Sequence, residues 1–431
     1  MKTINLKDLS DKDYQRIINR SAGSYQAVIP VVKQIMSEVK QNGDKALVKY
    51  YRKFSGNKGD YSIQITKEEL DKAYNEVDIQ VIFGLRQMIK NITQVCKNQL
   101  KAKKDKVVES EKGIKVWREW RAIEKVGLYI PGGKAVYPSS LLMTAIPAKV
   151  AGCKKIIICT PPQSNGQINP VVLLAAEMLG IKKVYKVGGA EAIAAMLYGT
   201  ETVPSVYKIF GAGNTYVTAA KILALEKIAI DMPAGPSEVF IIADETANPK
   251  FIAADLLADG EHGGDSACVL LTTSKGVAEQ TIKEIELQLP ALSTQDRAKE
   301  SLTNYGLVAL VETLEEAVKF TNEYAPEHLE IMTNNPESIV KKITNAGSIF
   351  LGDFTSKASG DYATGANHVL PTGGMAKMYP PLGVDAFGKW MQVQKCTKEG
   401  LGKIKETIET VATVEQLPGH KNSVSIRFIN I

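Results

Sequence analysis

The chain has 431 residues and a formal net charge of +6, from 53 Lys and Arg against 47 Asp and Glu. This length exceeds one ordinary domain, and 44% hydrophobic residues are enough to build two cores. We therefore expect a soluble globular protein with two core domains plus extensions.

The terminal sequence and the cysteines bear on the compartment. Residues 1–8 mix charges with apolar side chains, and no later stretch offers about 18 uncharged apolar residues in a row. We expect neither an export signal nor a membrane span. Five cysteines without a C-x-x-C pair argue against a disulfide framework or a Cys-rich zinc knuckle. A reducing cytoplasm fits this composition.

The N-terminal hundred residues are predicted to be helical. Apolar residues recur at spacings of three and four from Val81 to Cys96, which marks the buried stripe of a helix, and Asn42-Gly43 ends an earlier one. From Ile114 the period changes to two, which predicts strands or a hairpin leading into Pro131-Gly132-Gly133. Lysines cluster in the segment that precedes Ile114. We interpret this cluster as a solvated helix end, with an anion-binding patch as the alternative; its members are Lys101, Lys103, Lys104 and Lys106.

Strands and helices then alternate in two successive series, joined near Pro233-Ala234-Gly235-Pro236. The first series has strands at 155–159, 184–187, 207–210 and 228–230, and the second at 239–243, 269–271, 308–311, 329–332 and 348–351. This rhythm predicts two tandem Rossmann-like α/β domains with largely parallel sheets. We predict an N-terminal arm at 1–24, a first α/β domain at 25–235 with a helical N-terminal part, a second at 236–372, and a C-terminal tail at 373–431.

The C-terminal tail is too small to fold alone, so we expect it to pack on its own domains or on a second subunit. It contains one predicted helix with Leu401, Ile404, Ile408 and Val411 on one face. Glu415 falls four residues after Val411, on the apolar side, where a carboxylate needs a cation. The partner is either one of the many lysines or the ammonium group of a substrate.

The chain has only four histidines, and two of them can be interpreted together with two aspartates. Asp259 and His262 stand three apart at the end of a predicted helix, so both can project from one face. Asp361 lies in a predicted loop, and His420 follows a Pro-Gly stop. Oxygen and nitrogen ligands without thiolates favour a catalytic zinc site, although spacing alone allows satisfied surface residues.

Glu327 and His328 form a second candidate group, because a carboxylate and an imidazole are adjacent at the start of a predicted strand. Such a dyad can divide proton transfers. One group can take an alcohol proton while hydride leaves carbon, and the other can activate water to hydrate an aldehyde.

Three glycine turns follow predicted strands and are candidates for a dinucleotide site, at residues 131–133, 188–189 and 211–213. The second and third precede helices, whose N-terminal amides can meet a phosphate. None is a complete G-x-G-x-x-G fingerprint, so ordinary tight turns remain the alternative to NAD binding.

Six longer motifs resemble the histidinol dehydrogenase family, and the resemblance runs from about Val126 to the C-terminus. The motifs are Val126-Gly127-Leu128-Tyr129-Ile130-Pro131-Gly132-Gly133, Tyr137-Pro138-Ser139-Ser140, Asp231-Met232-Pro233-Ala234-Gly235-Pro236-Ser237-Glu238, Ala325-Pro326-Glu327-His328-Leu329-Glu330, Gly360-Asp361-Tyr362-Ala363 and Asn367-His368-Val369-Leu370-Pro371-Thr372.

The resemblance implies an aldehyde-dehydrogenase-like fold and a homodimeric enzyme that oxidises L-histidinol to L-histidine while two NAD are reduced. In this family zinc anchors the imidazole and amine of the substrate, and the tail completes the site of the neighbouring subunit. The implied site residues are Asp259, His262, Asp361 and His420 for zinc, Glu327 and His328 for proton transfer, Ser237, His328, His368 and Glu415 for the substrate, and Tyr129, Glu191 and Asn214 for NAD.

Two positions depart from the family pattern, which has Gln in place of both Asp259 and Glu191. Asp259 makes zinc with its ligands formally neutral instead of singly positive. Our expectation is a tolerated ligand exchange, in which Asp259→Gln keeps zinc. A carboxylate at Glu191 would weaken cofactor binding unless it is protonated or paired with a lysine.

Three other functions are compatible with the sequence. The first is a related zinc- and NAD-dependent dehydrogenase of a different polar alcohol. The second is a non-catalytic zinc-binding relative, against which the intact Glu327 and His328 argue. The third is nucleic-acid binding, suggested by the basic charge, but no binding motif supports it.

Overall fold

The computed structural model describes residues 3–20, 25–56, 59, 61–100, 104–132 and 136–429. Gly133 of the first glycine turn and Lys101 and Lys103 of the basic cluster lie outside these residues. Contacts divide the chain into a larger unit, residues 1–99 and 123–387, and a smaller unit, residues 100–122 and 388–431. The four-part division predicted from the sequence stays a prediction.

The N-terminal part of the larger unit is helical, as predicted. Its elements are β1 Thr3–Asn5, α1 Asp11–Ile18, α2 Ile29–Asn42, α3 Asp44–Ser55, α4 Lys67–Glu76 and α5 Ile79–Gln99. Gly43, at φ +52°, separates α2 from α3, because a left-handed conformation is favourable for glycine and stops a helix. Ile82, Leu85, Ile92 and Cys96 are the buried stripe of α5.

The smaller unit begins after α5 with two strands, β2 Val108–Glu111 and β3 Ile114–Ala122. The period of two at Ile114 therefore does form a strand, but β3 does not make a hairpin with the strand that follows it. Instead β3 pairs antiparallel with β2 and with a tail strand described below.

The first α/β series folds into a five-stranded parallel sheet. Its elements are β4 Lys125–Tyr129, α6 Pro138–Ala151, β5 Lys155–Cys159, α7 Pro170–Met178, β6 Val184–Tyr185, α8 Gly189–Tyr198, β7 Lys208–Phe210, α9 Thr215–Ala224 and β8 Ala229–Ile230. The strand order is β6-β5-β4-β7-β8. The strand order reverses between β4 and β7, which leaves a crevice at the carboxyl ends of these two strands. In sheets of this kind, ligands bind in that crevice.

The second series repeats this order in a six-stranded parallel sheet. Its elements are β9 Glu238–Ala243, α10 Pro249–Gly260, β10 Ala267–Thr272, α11 Lys275–Gln288, α12 Gln295–Tyr305, β11 Gly306–Leu310, α13 Leu314–Tyr324, β12 His328–Met332, α14 Pro336–Val340, β13 Ser348–Leu351 and α15 Lys357–Tyr362. The order is β1-β11-β10-β9-β12-β13. Strands β9, β10 and β12 are buried throughout, which explains why they are mostly apolar, with Glu238, His328 and Glu330 as buried charged or polar exceptions.

The tail completes the smaller unit with β14 Gly388–Cys396, α16 Lys398–Val414 and α17 Pro418–Ser425. The sequence predicted only one helix there. It did not predict β14, whose residues are mostly polar or exposed. This strand pairs with β3 but buries neither face, so its sequence lacks the alternation of apolar and polar residues that indicates a strand. The prediction of two Rossmann-like α/β domains with a helical N-terminal region and a C-terminal tail is confirmed.

Within the described residues, no helix is both long enough and apolar enough to cross a membrane.

Candidate active site

A cleft of about 760 Å³ in the larger unit collects most of the predicted site residues. Tyr129, the last residue of β4, and Asn214, in the turn after β7, reach the cleft from the carboxyl edge of the first sheet. The second sheet contributes through its amino edge, where Ser237 precedes β9 and His328 begins β12. The remaining predicted residues in the cleft are His262, Glu327, Asp361 and His368.

The imidazole of His328 has a fixed orientation. Its Nδ1 lies 3.0 Å from the carbonyl oxygen of Glu238 on the neighbouring strand, so Nδ1 carries the proton and donates it. Its Nε2 is buried without a hydrogen-bond partner and lies 3.6 Å from Asp361 Oδ1. Nε2 is therefore the nitrogen available to a substrate.

The carboxylate of Glu327 is equally fixed. Oε2 accepts a hydrogen bond of 2.8 Å from the backbone N–H of Glu238 and lies 3.5 Å from His328 Nδ1. Burial raises the pKa of Glu327, and the nearby imidazole of His328 opposes this. Burial lowers the pKa of His328, but the carboxylates of Glu327 and Asp361 outweigh it and raise the pKa to about 10. The two groups share a proton in a dry environment, as a proton-transfer pair requires.

Glu238 links this dyad to the N-terminal segment. Its carboxylate, 1% exposed, accepts two hydrogen bonds from the guanidinium of Arg20 at 3.0 and 2.5 Å and one of 2.7 Å from the N–H of Gly373. The guanidinium also lies 3.3 Å above the ring of Tyr324. This buried bidentate ion pair orients Glu238. The backbone N–H and carbonyl of Glu238 in turn bind Glu327 and His328.

Asp259, His262 and Asp361 converge beside the dyad. Asp259 lies in the last turn of α10 and is fully buried, while His262 Nδ1, just beyond the helix, is 4.0 Å from Asp259 Oδ1. Asp361 was predicted in a loop, and this is wrong: Ser356 caps a short helix, α15, that contains it. The small residues at 358–360 allow the helix to pack there, and Gly360 leaves no room for a Cβ beside Phe350.

Lys357 lies between the two carboxylates. Its Nζ is 2.9 Å from Asp259 Oδ1 and 2.9 Å from Asp361 Oδ2, and its side chain is 2% exposed. Burial alone would raise the pKa of Asp361, but His328 and Lys357 together hold it well below its usual value. Burial would lower the pKa of Lys357, and the two carboxylates instead raise it. Lys357 and Asp361 are therefore both charged.

The donor set fits a cation, although no group of three or more His, Cys, Asp or Glu side chains among the described residues has the arrangement that holds a metal ion. Asp259 Oδ2 is buried without a hydrogen-bond partner, and Lys357 engages one oxygen of each carboxylate. An unpartnered buried carboxylate oxygen costs about 1–3 kcal/mol or more, which a cation would offset. Asp259 and Asp361 thus each keep one oxygen that Lys357 does not contact.

His420 and Glu415 belong to the smaller unit. Glu415 was predicted on the buried apolar side of the tail helix; it instead follows the last residue of α16 and is exposed. The apolar stripe is open at this end, where Val411 is 49% and Val414 78% exposed. His420, near the start of α17, is also exposed. Both side chains are free to meet another surface.

Ser237 and His368 line the cleft as predicted substrate contacts. His368 Nδ1 lies 3.0 Å from the carbonyl oxygen of Asp361, and Nε2 lies 3.3 Å from Ser140 Oγ. Burial lowers the pKa of His368, so its ring is neutral. Because Nδ1 donates its proton to the carbonyl oxygen of Asp361, Nε2 of the neutral ring can only accept, from Ser140 Oγ or from a donor on a polar substrate.

The glycine turns of the first sheet meet around Tyr129. Its hydroxyl accepts a hydrogen bond of 3.3 Å from Gly189 N at the start of α8, and its backbone oxygen is so close to Gly211 that a Cβ there would lie 2.0 Å away. Asn214 caps α9, with Oδ1 accepting from the N–H groups of Tyr216 and Val217 at 3.1 and 3.2 Å. Of these two helices, α9 begins just after β7, beside the crevice between β4 and β7.

Glu191 lies in a neighbouring pocket of about 400 Å³ rather than in the main cleft. Aromatic side chains line this pocket; they are Tyr50, Tyr51, Phe54 and Tyr61. Burial raises the pKa of Glu191 to about 7, only partly offset by Lys53. We expected Glu191 to be compatible with the cofactor if it is protonated or paired with a lysine, and its buried surroundings favour protonation.

A family model described as "Histidinol dehydrogenase" matches residues 18–428. The chain belongs to the histidinol dehydrogenase family. It is similar to the histidinol dehydrogenases of Methanocaldococcus jannaschii (44% identity over 98% of this chain and 97% of that protein) and Bacteroides fragilis (44% over 100% of both). The crystal structure of histidinol dehydrogenase from Elizabethkingia anophelis aligns with a TM-score of 0.94 and 43% identity, covering 99% of this chain and 98% of that one.

Two residues of this histidinol dehydrogenase family member escaped the sequence analysis. Lys357 stands four positions before Asp361, a spacing typical of an ion pair on a helix, but the segment was interpreted as a loop. In the sequence, Glu238 stands out only as the last residue of a motif. Its role depends on Arg20, 218 positions away, and no local pattern indicates such a contact.

Proposed function

We propose that this chain oxidises L-histidinol through L-histidinal to L-histidine, with zinc and NAD as cofactors. The observation that carries the proposal is the orientation of His328, which lines the cleft: its Nδ1 is held by the carbonyl oxygen of Glu238 and lies 3.5 Å from Glu327 Oε2, while its Nε2 has no hydrogen-bond partner. The oxidation of an alcohol needs a group that accepts the hydroxyl proton, and this pair can supply one.

The reaction consists of two oxidations with a hydration between them. Each oxidation removes a hydride from carbon and a proton from oxygen, and the aldehyde takes up one water before the second. Two protons must therefore leave substrate oxygens and one water must be activated. The paired Glu327 and His328 divide these transfers, because a proton lost by the substrate can be held at either group.

Zinc would be held by Asp259, His262, Asp361 and His420, and NAD would contact Tyr129, Glu191 and Asn214 near the glycine turns. When bound, zinc supplies an anchor for the imidazole and amine of the substrate, and NAD accepts one hydride in each oxidation. Ser237 and His368 orient the substrate between these two regions, so that its alcohol carbon lies near His328.

The tail supports a homodimer in which Glu415 and His420 complete the site of a second copy. Both are exposed on the smaller unit, close to the exposed apolar residues Val414 and Leu417. An exposed apolar surface of this kind is typical of a subunit interface. The five cysteines are free, which fits our expectation of a cytoplasmic enzyme.

Complementation tests the dimer. A His420→Ala subunit and a His328→Gln subunit, each inactive alone, are unfolded and refolded together. If the tail crosses to the partner, one site of each mixed dimer is intact, and about a quarter of wild-type activity returns. No recovery, although mixed dimers form, would place each tail in its own subunit's site.

The reaction itself is tested by stoichiometry. Zinc-loaded protein is given NAD and L-histidinol, and the NADH formed per histidinol consumed is counted while the product is identified. Two NADH and L-histidine support the proposal. No NADH from a folded, zinc-loaded protein would contradict it, and a panel of other polar alcohols would then be assayed.

A further inference from the structure

The charge of Lys357 is unfavourable for its local position. Lys357 is the first residue of α15, where the helix dipole presents partial positive charge and favours anions. Its side chain is also 2% exposed, and a buried ammonium is costly unless it is paired. The lysine is therefore stabilised by tertiary contacts, and these are the carboxylates of Asp259 and Asp361.

In each of the two carboxylates, one oxygen contacts Lys357 and the other does not. Lys357 Nζ takes Asp259 Oδ1 and Asp361 Oδ2, both at 2.9 Å. Asp259 Oδ2 has no hydrogen-bond partner, and Asp361 Oδ1 faces His328 Nε2 at 3.6 Å. An ammonium that engages one oxygen of a carboxylate fixes the direction of the other, as outer partners of metal ligands do.

The charges also balance. Zinc with Asp259, Asp361 and two neutral histidines is formally neutral, whereas the family pattern with Gln at position 259 is singly positive. Adding the ammonium of Lys357 makes the group singly positive again. The extra negative charge at Asp259 and the positive charge at Lys357 thus cancel within a contact of 2.9 Å.

We propose that Lys357 is a positioning residue of the metal site, which pairs with Asp259 to restore the charge of a Gln-containing site and orients both carboxylates toward the cation. This inference rests on the proposed zinc-dependent function. It revises the expectation for Asp259→Gln. Zinc binding survives this exchange only if Lys357 is neutralised as well, because in the single variant the ammonium lies beside the metal and only the carboxylate of Asp361 remains to balance its charge.

The test is a double-mutant cycle on the full-length protein with Asp259→Gln, Lys357→Met and the double variant. Methionine keeps the length of the lysine side chain without its charge. Zinc affinity is measured by competition with a chelator, and the unfolding temperature is measured without metal. Lys250→Met, on the exposed beginning of the helix that contains Asp259, controls for the loss of a positive charge elsewhere.

The expected result is strong coupling between the two positions. Asp259→Gln lowers zinc affinity by about 10–100-fold, and adding Lys357→Met returns it to within about threefold of wild type. Lys357→Met alone changes the affinity by less than about threefold but lowers the metal-free unfolding temperature, because it leaves Asp259 buried and unpaired. Lys250→Met changes neither.

Two outcomes would overturn the inference while leaving the proposed function intact. If Lys357→Met changes zinc affinity by the same factor with Asp or Gln at position 259, the two residues are not a charge-matched pair. If Lys357→Met in the wild-type background raises zinc affinity by clearly more than about threefold, the lysine competes with the metal instead of positioning its ligands. Wild-type protein that binds no zinc would overturn both the inference and the zinc-dependent part of the proposed function.

Discussion

Arg20 and Glu238 form a buried ion pair, with hydrogen bonds of 3.0 and 2.5 Å, that connects the segment after α1 to the start of β9. The same Glu238 holds His328 Nδ1 through its carbonyl and Glu327 through its N–H. A residue near the N-terminus thereby stabilises the geometry of the proposed proton-transfer pair.

We expect Arg20→Met to destabilise the protein by about 3–5 kcal/mol, because it leaves the carboxylate of Glu238 buried without its partner. Denaturant unfolding would measure the loss, and kcat should fall as well since Glu238 positions the dyad. Arg16→Met is the matched control: Arg16 is exposed and lies 4.0 Å from Asp13, so its loss should cost less than about 1 kcal/mol. Equal effects at the two positions would contradict this account.

His328→Gln should lower kcat for histidinol oxidation by about 10²- to 10⁴-fold, because glutamine can neither take up nor release a proton in the pair with Glu327. The histidinol KM should change much less. His368→Gln provides the contrast, since a neutral ring paired with Ser140 Oγ is placed to bind rather than to transfer a proton. It should raise KM with a smaller effect on kcat. Steady-state NADH formation separates the two patterns, and a kcat that His328→Gln leaves unchanged would exclude a proton-transfer role.

Glu191 should make NAD binding depend on pH. Burial raises its pKa from 4.5 to about 7, so the carboxyl is largely neutral at pH 6 and charged at pH 8, where it repels the cofactor phosphates. The KM for NAD should therefore increase from pH 6 to 8 in the wild type. Glu191→Gln should remove this dependence and lower KM at pH 8. An unchanged pH profile in the variant would show that Glu191 does not face the cofactor.

The same shift predicts a change in stability. Because the folded pKa of Glu191 is raised, its contribution is fully present below about pH 4.5 and is lost as the pH rises through about 7. Thermal unfolding at pH 6 and pH 8 should show a smaller decrease for Glu191→Gln than for the wild type. Equal decreases would mean that the carboxyl is not titrating in this range.

Gly211→Ala should destabilise the first sheet and impair NAD binding. Gly211 has φ +117°, and an added Cβ would lie 2.0 Å from the backbone oxygen of Tyr129. We expect a loss of at least about 1–3 kcal/mol from backbone strain, increased by the collision. Gly152→Ala is the control, because Gly152 has φ +93° but open space around its Cβ position. A loss at Gly211 no larger than that at Gly152 would mean that the close approach to Tyr129 is relieved cheaply.

Regular, buried elements were predictable because their local patterns match their environment. The apolar runs 239–243 and 269–271 became buried parallel strands, and the stripe from Val81 to Cys96 became one face of α5. Exposed or short elements were not predictable in this way. β14 buries no single face, and the helix that contains Asp361 has only six residues, of which three are Gly, Ala or Ser.

The sequence by itself determined the α/β class, the two successive sheets and the identity of the motifs that carry most of the proposed site. It also placed Asp259 and His262 on one helix end, because a spacing of three is a local property of a helix. Only the tertiary structure decided that Lys357 stands between Asp259 and Asp361 and that Arg20 holds Glu238. These contacts join residues far apart in the chain, and a buried charge finds its partner through the packing of whole elements rather than through its neighbours in sequence.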